Sequence, residues 1–564
     1  MLDTTRKPGV PRAPCYDAGF MRPTLRAPWT FAAAAALLAI FFLQLFFASR
    51  AKSPAWDEPG HIASGVAYVQ LGSLAVNPQH PPLLKALSGL GLTLGGGKWQ
   101  DVPQARDLLR GAEQWQWDIG SLILIKSDLE RALLWARLPM MLVGLMGGLV
   151  LYLWGRQIAG ELAGLCALFL YVLDPTIVGH SFLVTLDVGL GAFSLLFLFC
   201  LWNYVRAPGR VGLALCGLTL GLALCTKFSS VVLVPLAALL IVAHAALRTA
   251  RIRGPEVRAM LAIYGIAAVV VLAIYRFQGP AYLAGVTKVN ADHAPNYLVY
   301  MAGDLASNFN SYFAVAYLLK EPLAAIVLAA AGLGLVLRGN GFALREKLFL
   351  LLPPTAIFAL HVWKADNLGI RYIIPCLPFA HLLGGIALAS VLRAPGKGKR
   401  IAAAILAAWA VAAAAGIYPD GLSYFNESAC LLDDPGKLGW DGGSRCGIAW
   451  LDDSNVDWGE GLKQLGAWLE SNAKGRAAKI GYFGSFPVEA YELPVQPMAG
   501  PETWFQPPPG LYAVSAHLVA HNAALVRRNY ARGDLWQVRM PPRAIVGHCL
   551  YIYDIPPTQS PAGR

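Results

Sequence analysis

The sequence predicts an α-helical polytopic membrane protein of about eleven spans, with a small α/β domain at its C-terminal end. Of its 564 residues, 56% are hydrophobic and only 14% are charged, whereas a soluble domain carries about 25% charged residues. Apolar runs of roughly 17–25 residues recur along the chain, and this length crosses a bilayer as a helix. A more polar stretch with strand-like runs follows the last of them.

The first apolar run has no small-residue cleavage pattern after it and is long for a signal peptide, so we interpret it as a retained span. The short run at Val211–Cys225 is the weakest of the set. The predicted spans lie near Trp29–Ala48, Leu138–Trp154, Leu162–Val178, Val188–Tyr204, Val211–Cys225, Ser229–Ala246, Met260–Tyr275, Leu318–Leu337, Leu348–Trp363, Ile370–Leu392 and Ile401–Ile417.

Lysine and arginine set the predicted orientation. They are frequent in every second connection, which places those connections and the tail 1–27 in the cytoplasm. The net charge of +12 is then mainly a topology signal and requires no nucleic acid partner. The membrane domain covers 28–417 and includes a long outer loop over 50–132. An odd number of spans places 418–564 outside.

The outer stretch 418–564 predicts an α/β domain. A helix near Gly459–Glu470 precedes strand-like runs at Lys479–Phe483, Gly510–Ser515 and Ala544–Ile555. Five of the nine cysteines lie in spans, where packing is the expected role. Cys430 and Cys446 lie outside, in an oxidising compartment, and the sequence leaves open whether they form a disulfide.

Two adjacent carboxylates, Asp57 and Glu58, follow the first span and precede Pro59. Such a pair can cap the helix that starts there, because the helix dipole favours carboxylates at its N-terminus. A carboxylate beside a membrane-embedded cavity can instead act as a general base toward an acceptor hydroxyl. For an isolated pair, capping is the simpler role. The context favours a site residue instead, because the pair starts a long loop and a basic helix start follows in the same loop.

That helix start is His80-Pro81-Pro82, with Lys85 in its first turn. Free amides and the helix dipole make such an end favourable for anions. A solvated histidine and a snorkelling lysine are the simpler alternative.

Four more ionisable residues lie at the same predicted face. Asp187 begins the fourth span, either as a cap or as a site acid. Arg137, Lys227 and Arg371 lie at the outer ends of other spans, where each alone is an interfacial anchor. With His80 they form a cationic ring, which a lipid-linked phosphate at headgroup depth requires.

The chain contains no P-loop, HExxH motif or zinc-type CxxC pair. We therefore assign no metal ligand and no certain cofactor, and leave a divalent cation open. Asp452, Asp453 and Asp457 lack the order of an EF-hand loop, and a helix cap is the expected role.

Taken in order, these motifs resemble the GT-C glycosyltransferases of the protein O-mannosyltransferase type, including the bacterial aminoarabinose transferases (glycosyltransferase family 39 and relatives). The likeness covers most of Ala27–Leu392 and a patch of the outer domain that is similar to a bacterial, phospholipid-carrier-dependent branch. The motifs are Trp56-Asp57-Glu58, His80-Pro81-Pro82-Leu83-Leu84-Lys85, Ala136-Arg137-Leu138-Pro139, Thr185-Leu186-Asp187-Val188, Thr226-Lys227-Phe228, Gly369-Ile370-Arg371-Tyr372-Ile373-Ile374-Pro375, Tyr424-Phe425-Asn426-Glu427 and Asp453-Ser454-Asn455-Val456-Asp457-Trp458-Gly459.

The resemblance implies a polyprenyl-phosphate sugar donor, inversion by single displacement, and catalysis at the periplasmic face of the bacterial inner membrane. It implies that Asp57 is the base or acceptor-binding carboxylate, supported by Glu58, and that Asp187 is a second acid. His80 replaces a lysine of some relatives, which predicts pH-dependent donor binding. The predicted donor-phosphate contacts are His80, Lys85, Arg137, Lys227 and Arg371.

The function predicted is transfer of a mannose-like hexose or a pentose to a hydroxyl of a lipid, glycan or protein. The alternative is a transporter or flippase of lipid-linked sugars. Alternating access would predict ionisable groups deep in several spans and broken helices in related halves, and the sequence shows neither.

Overall fold

A computed structural model describes residues 28–99, 114–249, 254–291, 297–339, 341–500, 502–529 and 535–557. The predicted cytoplasmic tail, 1–27, lies outside the described residues. The membrane part is helical, with α-helices at Pro28–Ala51, Glu58–Val66, Leu83–Leu94, Gln116–Lys126, Leu129–Ala159, Glu161–Val172, Pro175–Ser181, Asp187–Arg206, Arg210–Leu224, Leu233–Thr249, Gly254–Ile274, Gly279–Ala291, Tyr312–Lys320, Leu323–Arg338, Leu344–Lys364, Leu377–Arg393 and Lys397–Ile417.

Within the described residues, seven helices are long and apolar enough to span a membrane, and two bent helix pairs raise the number to nine. The pairs are Glu161–Val172 with Pro175–Ser181, bent by 66°, and Tyr312–Lys320 with Leu323–Arg338, bent by 114°. The protein is thus a multi-pass membrane protein, as predicted. The other two predicted spans coincide with the short helix Arg210–Leu224 and with Leu344–Lys364, which contains two prolines.

The long outer loop is more structured than predicted. The helix expected to start at Pro59 is present as Glu58–Val66, followed by a π-helical turn (Ala67–Leu71) that leads to Gly72 in the left-handed region (φ 68°). Every residue of Glu58–Val66 is buried, so this helix is enclosed by its neighbours. Later in the loop, a segment with two tryptophans, Trp115 and Trp117, leads into a helix that the sequence did not predict, Gln116–Lys126.

The C-terminal region forms a mixed five-stranded sheet. Its strands are β3 (Ala478–Gly481), β4 (Val495–Pro497), β5 (Gly510–Ser515), β6 (Ala544–Val546) and β7 (Leu550–Ile555), after a small hairpin of β1 (Val299–Met301) and β2 (Asp304–Ala306). The order is β4-β3-β5-β7-β6, with β3 parallel to β4 and β5 and with β7 antiparallel to β5 and β6. The three predicted strand regions and the predicted helix, found at Leu462–Asn472, are confirmed. The remaining α-helices of this region are Ser428–Leu432, Gly447–Trp450, Glu502–Phe505, Ala516–Asn529 and Trp536–Arg539.

The C-terminal region 418–564, called the outer domain after its predicted side of the membrane, is joined to the spans through buried polar contacts. Lys320, at the bend of a span, donates to the carbonyls of Leu422 (2.8 Å), Tyr424 (3.0 Å) and Asn455 (2.7 Å). Lys52, at the end of the first span, pairs with Asp420 at 2.7 Å. A buried ammonium requires such partners, so these contacts hold the two parts in one arrangement.

Cys430 and Cys446 form a disulfide, which settles the pairing that the sequence left open. We expect Cys430→Ser combined with Cys446→Ser to lower the melting temperature in detergent. Closing a loop of this 16-residue separation contributes about 3 kcal/mol to stability. Dithiothreitol should lower the melting temperature of the wild type but not that of the double variant. Equal melting temperatures for the two proteins would contradict the expectation.

Candidate active site

A cavity of about 590 Å³ lies where the outer loop, the ends of several spans and the helix Gly279–Ala291 meet. It brings together five of the eight predicted site residues: Asp57, His80, Asp187, Lys227 and Arg371. Glu58, Lys85 and Arg137 are not among its lining residues. Side chains such as Leu186, Val231, Val286, Val289 and Leu360 make part of the wall apolar.

Asp57 faces this cavity. Its side chain makes no capping hydrogen bond to the helix that starts at Glu58, so the capping alternative does not describe it. Instead, Arg371 Nη1 donates to Asp57 Oδ2 at 2.8 Å. The Asp57 side chain keeps 29% of its surface exposed, which leaves the carboxylate within reach of a ligand.

Arg371 is held in turn by its surroundings. Its Nε donates to the carbonyl of Leu368 (3.2 Å), and its guanidinium lies 4.2 Å from the ring centre of Trp458, a residue of the outer domain. Cation–π contacts of this kind orient an arginine while its outer N–H groups stay available. The outer domain therefore contributes to the position of Asp57.

A second ion pair lines the same cavity. Lys227 Nζ donates to Asp187 Oδ1 at 2.7 Å and lies 4.3 Å from the ring centre of Tyr372. Asp187 is the first residue of its helix, as predicted. An ammonium has three donors, so Lys227 can hold Asp187 and a ligand oxygen at once.

Glu58 and Arg137 have a structural role instead of the predicted catalytic and donor-binding roles. Both side chains are completely buried. Arg137 donates twice to Glu58, at 2.9 and 2.6 Å, and its other N–H groups reach the carbonyls of Ser49, Lys52 and Ser53. All five guanidinium donors are thus used, which leaves none for a phosphate.

The carboxylate of Glu58 also accepts from two backbone amides, Ala55 N–H at 2.8 Å and Val184 N–H at 2.9 Å. On the other side of the same residue, His61 Nδ1 contacts the Val184 carbonyl at 2.8 Å. Since Val184 precedes Asp187 by three residues, Glu58 and His61 fix the turn from which Asp187 enters the site.

Lys85 is likewise buried rather than placed at the predicted phosphate position. Its ammonium donates to the carbonyls of Asn77 and His80, each at 2.6 Å, and burial lowers its pKa to about 7. Its helix crosses Glu58–Val66 with almost no gap, because a Cβ at Gly65 would lie 2.0 Å from the Lys85 carbonyl. Lys85 therefore positions His80 instead of binding a ligand directly.

His80 lies in the cavity, with its ring centre 5.8 Å from that of His61. Burial lowers the pKa of His61, and burial together with His61 and Lys227 lowers the pKa of His80 well below its usual value. His80 is consequently neutral near pH 7. His80 is therefore not one of the cations of the cavity in this structure, and the pH dependence of donor binding stays a prediction.

Several lining residues were not predicted from the sequence. His61 follows Asp57 by one helical turn, so its helical spacing was a usable signal. Trp117 comes from the unpredicted helix Gln116–Lys126. His361 and Lys364 come from the end of Leu344–Lys364, which the sequence placed at the outer face but not near Asp57.

The predicted metal assignment was none, with a divalent cation left open. In the cavity, Asp57 and Asp187 are each paired with a cation of the protein itself. Among the described residues, three other groups place side-chain donor atoms close enough to share an ion: Asp452, His517 and His521; Asp174, Glu321 and His381; and Asp457, Glu460 and Cys549.

Comparison with known proteins finds a family match for the segment that contains the ion pair of Asp187 and Lys227. Residues 117–275 match the dolichyl-phosphate-mannose-protein mannosyltransferase family. The predicted resemblance to the protein O-mannosyltransferase type is confirmed over these residues. The matched segment contains Asp187 and Lys227, whereas Asp57, His80 and Arg371 lie outside it. No curated relative matches the chain by sequence.

Solved structures with a similar arrangement include ArnT from Cupriavidus metallidurans bound to undecaprenyl phosphate, at 15% identity and a TM-score of 0.44, covering 94% of this chain and 98% of that chain. The Archaeoglobus fulgidus oligosaccharyltransferase in the apo form has 13% identity and a TM-score of 0.43, with coverage of 72% and 60%. The S. cerevisiae Pmt1-Pmt2 complex bound to the sugar donor has 15% identity and a TM-score of 0.35, with coverage of 46% and 35%.

Arg137→Met tests the structural role of the buried pair. It leaves the Glu58 carboxylate buried without its partner, which should cost about 3–5 kcal/mol. We expect a large loss of folded protein and of melting temperature, measured by size-exclusion chromatography and thermal unfolding. Arg131→Met, at an exposed position of the same helix, is the matched control. Normal stability with weaker donor binding would restore the predicted phosphate role.

The low pKa of His80 predicts a pH effect on stability. An unfolded histidine binds its proton near pH 6.5, whereas folded His80 does so only at lower pH. The unfolded state therefore binds more protons in this window, so stability falls as the pH falls below about 6.5. We expect His80→Gln to reduce this loss, measured as melting temperature from pH 7 to pH 5.

His548 is a control, because it should affect the pH dependence of stability in the direction opposite to His80. Its contacts with Asp420 (2.7 Å) and Asp441 (3.2 Å) outweigh its desolvation and raise its pKa to about 9. The contribution of His548 to the free energy of unfolding is fully present below pH 6.5 and is lost as the pH rises through 9. His548→Gln should therefore lower stability most at acidic pH. An unchanged pH profile in His80→Gln would contradict the assignment of His80.

Proposed function

We propose that this chain is an inverting glycosyltransferase that moves a sugar from a polyprenyl phosphate to an acceptor hydroxyl at the periplasmic face of the bacterial inner membrane. The observation that carries the proposal is the convergence of Asp57, Arg371, Asp187 and Lys227 on one cavity with a partly apolar wall. The matched family description names a dolichyl-phosphate-mannose donor, which supports a polyprenyl-phosphate sugar as substrate.

Asp57 is the group that receives the acceptor. Arg371 occupies its Oδ2 and orients the carboxylate, while Oδ1 can accept the hydrogen bond of an incoming hydroxyl. The acceptor oxygen then forms a bond to the anomeric carbon as the bond from that carbon to the phosphate oxygen breaks. The hydroxyl proton passes to Asp57, and attack opposite to the leaving group inverts the anomeric centre.

Lys227 and Arg371 are placed to stabilise the leaving phosphate. Lys227 uses one donor for Asp187, and Arg371 uses Nη1 for Asp57 and Nε for Leu368. Each cation retains further N–H groups, and charge-assisted bonds to phosphate are among the strong ones. Fixed donors aimed at the developing phosphate charge lower the barrier without reorganising during the reaction.

The apolar part of the wall fits the remainder of the donor. Val231 and Leu360, with Val286 and Val289 of the helix Gly279–Ala291, line the cavity. A prenyl chain can lie against these residues while its phosphate reaches Lys227. The sugar transferred is a mannose-like hexose or a pentose, and the acceptor class is a lipid, glycan or protein hydroxyl.

One observation favours the second candidate, a transporter or flippase of lipid-linked sugars. Contrary to the sequence-based expectation, two spans are broken and buried ionisable groups lie at the breaks. Asp174 caps the helix after the first break and contacts His381 at 2.8 Å. The Asp174 carboxylate at this break is thus paired within the protein, whereas the Asp57 side chain keeps 29% of its surface exposed, so we favour the transferase.

Asp57→Asn tests the proposal with the purified protein in liposomes that contain a polyprenyl-phospho-mannose or a polyprenyl-phospho-pentose. Removing a general base should lower kcat/KM by about 10²–10⁴-fold, with unchanged melting temperature. Asp434→Asn, at an exposed site of the outer domain, should keep full activity. Full activity of Asp57→Asn would sink the assignment, and movement of donor across the bilayer without sugar transfer would support the transporter.

A further inference from the structure

A compact cluster of two histidines and a carboxylate lies in the outer domain. Asp452 Oδ2 is 3.3 Å from His517 Nδ1 and 2.7 Å from His521 Nδ1. The two histidines are one turn apart on the helix Ala516–Asn529, so both rings leave the same face. The three donor atoms all lie within 4.8 Å of one another.

We propose that Asp452, His517 and His521 bind a zinc ion, with a water as the fourth ligand. Two imidazole nitrogens and one carboxylate oxygen are a donor set that Zn²⁺ prefers. Tetrahedral bonds of about 2.0–2.1 Å place ligand atoms roughly 3.3 Å apart. The distance between Asp452 and His517 already has this value, and the contact with His521 needs only a small opening.

Binding a cation would change one hydrogen bond of His517. The backbone N–H of Asp453 donates to His517 Nδ1 at 3.1 Å. An imidazole nitrogen has a single lone pair in the plane of its ring, so a metal ion on Nδ1 would replace this hydrogen bond.

Aromatic neighbours hold the rings in place. The ring centre of Phe483 lies 3.9 Å from that of His517, and Tyr297 stacks on His521 with centres 6.1 Å apart. Burial of Asp452 and His517 limits competition from water, while the His521 side chain keeps 12% of its surface exposed. This exposed edge gives an ion a path into the cluster.

The site would stabilise the part of the outer domain that supports Arg371. Directly after Asp452, Ser454 Oγ donates to the carbonyl of Leu368 at 2.7 Å, and Asn455 Oδ1 accepts from the amide of Ile370 at 3.0 Å. A metal at Asp452 therefore fixes the loop on which the segment before Arg371 rests. The assignment of the metal site does not depend on the proposed sugar transfer.

Zinc binding is tested with the full-length protein in detergent after treatment with a chelator. Titration with Zn²⁺ alone should give one bound ion per chain by elemental analysis and should raise the melting temperature. Asp452→Asn and His521→Gln should each weaken binding by more than about 100-fold. His548→Gln is the matched control, because His548 also contacts two carboxylates but has no second histidine beside it.

Two results would overturn the proposal. Wild-type protein that binds no zinc and keeps its melting temperature on titration would show that the cluster is an ion pair of charged imidazoles around Asp452. Equal zinc affinity in the wild type and in both ligand variants would place the ion elsewhere. Because the wild-type titration needs no variant to fold, either result is decisive, and neither depends on glycosyltransferase activity.

Discussion

The buried ion pair of Glu58 and Arg137 is the interaction on which the candidate site depends. A single carboxylate joins the end of the first span, the helix Leu129–Ala159 and the turn at Val184. Burying such a pair contributes little net stability when compared with apolar residues, but leaving either member unpaired is very costly. The pair therefore selects one arrangement of these three segments, and Asp57 and Asp187 leave that arrangement toward the same cavity.

The sequence predicted which charged residues lie near one another better than it predicted the role of each residue. Hydropathy and helix-start signals placed Asp57, His80, Asp187, Lys227 and Arg371 on one side, and the structure gathers all five. They could be found because each lies at a helix end, where local signals are strong. Burial depends on contacts between distant segments, so the sequence could not separate Arg137, which is enclosed, from Arg371, which is accessible.

The same limit explains the two differences in the fold. Hydropathy detects an apolar run but carries no information about a bend inside it, so the breaks at Asp174 and before Leu323 were missed. The helix Gln116–Lys126 was missed because the face that it buries, which includes Gln116, Gly120 and Ser121, packs on other segments of the protein and is not marked by an apolar run. Its packing is close enough that a Cβ at Gly120 would lie 1.8 Å from the Pro59 carbonyl.

The outer domain is continuous with the site rather than appended to it. Trp56 N–H donates to the Trp458 carbonyl at 2.8 Å, and the Trp56 ring lies 4.8 Å from that of Phe483. Trp458 also carries the guanidinium of Arg371 on its face. One residue of the C-terminal region thus contacts both the segment before Asp57 and the cation that orients it. Exchange of this region between related proteins would consequently not be modular: a chimera must inherit Trp458 together with the Trp56 segment and Arg371, or realign all three.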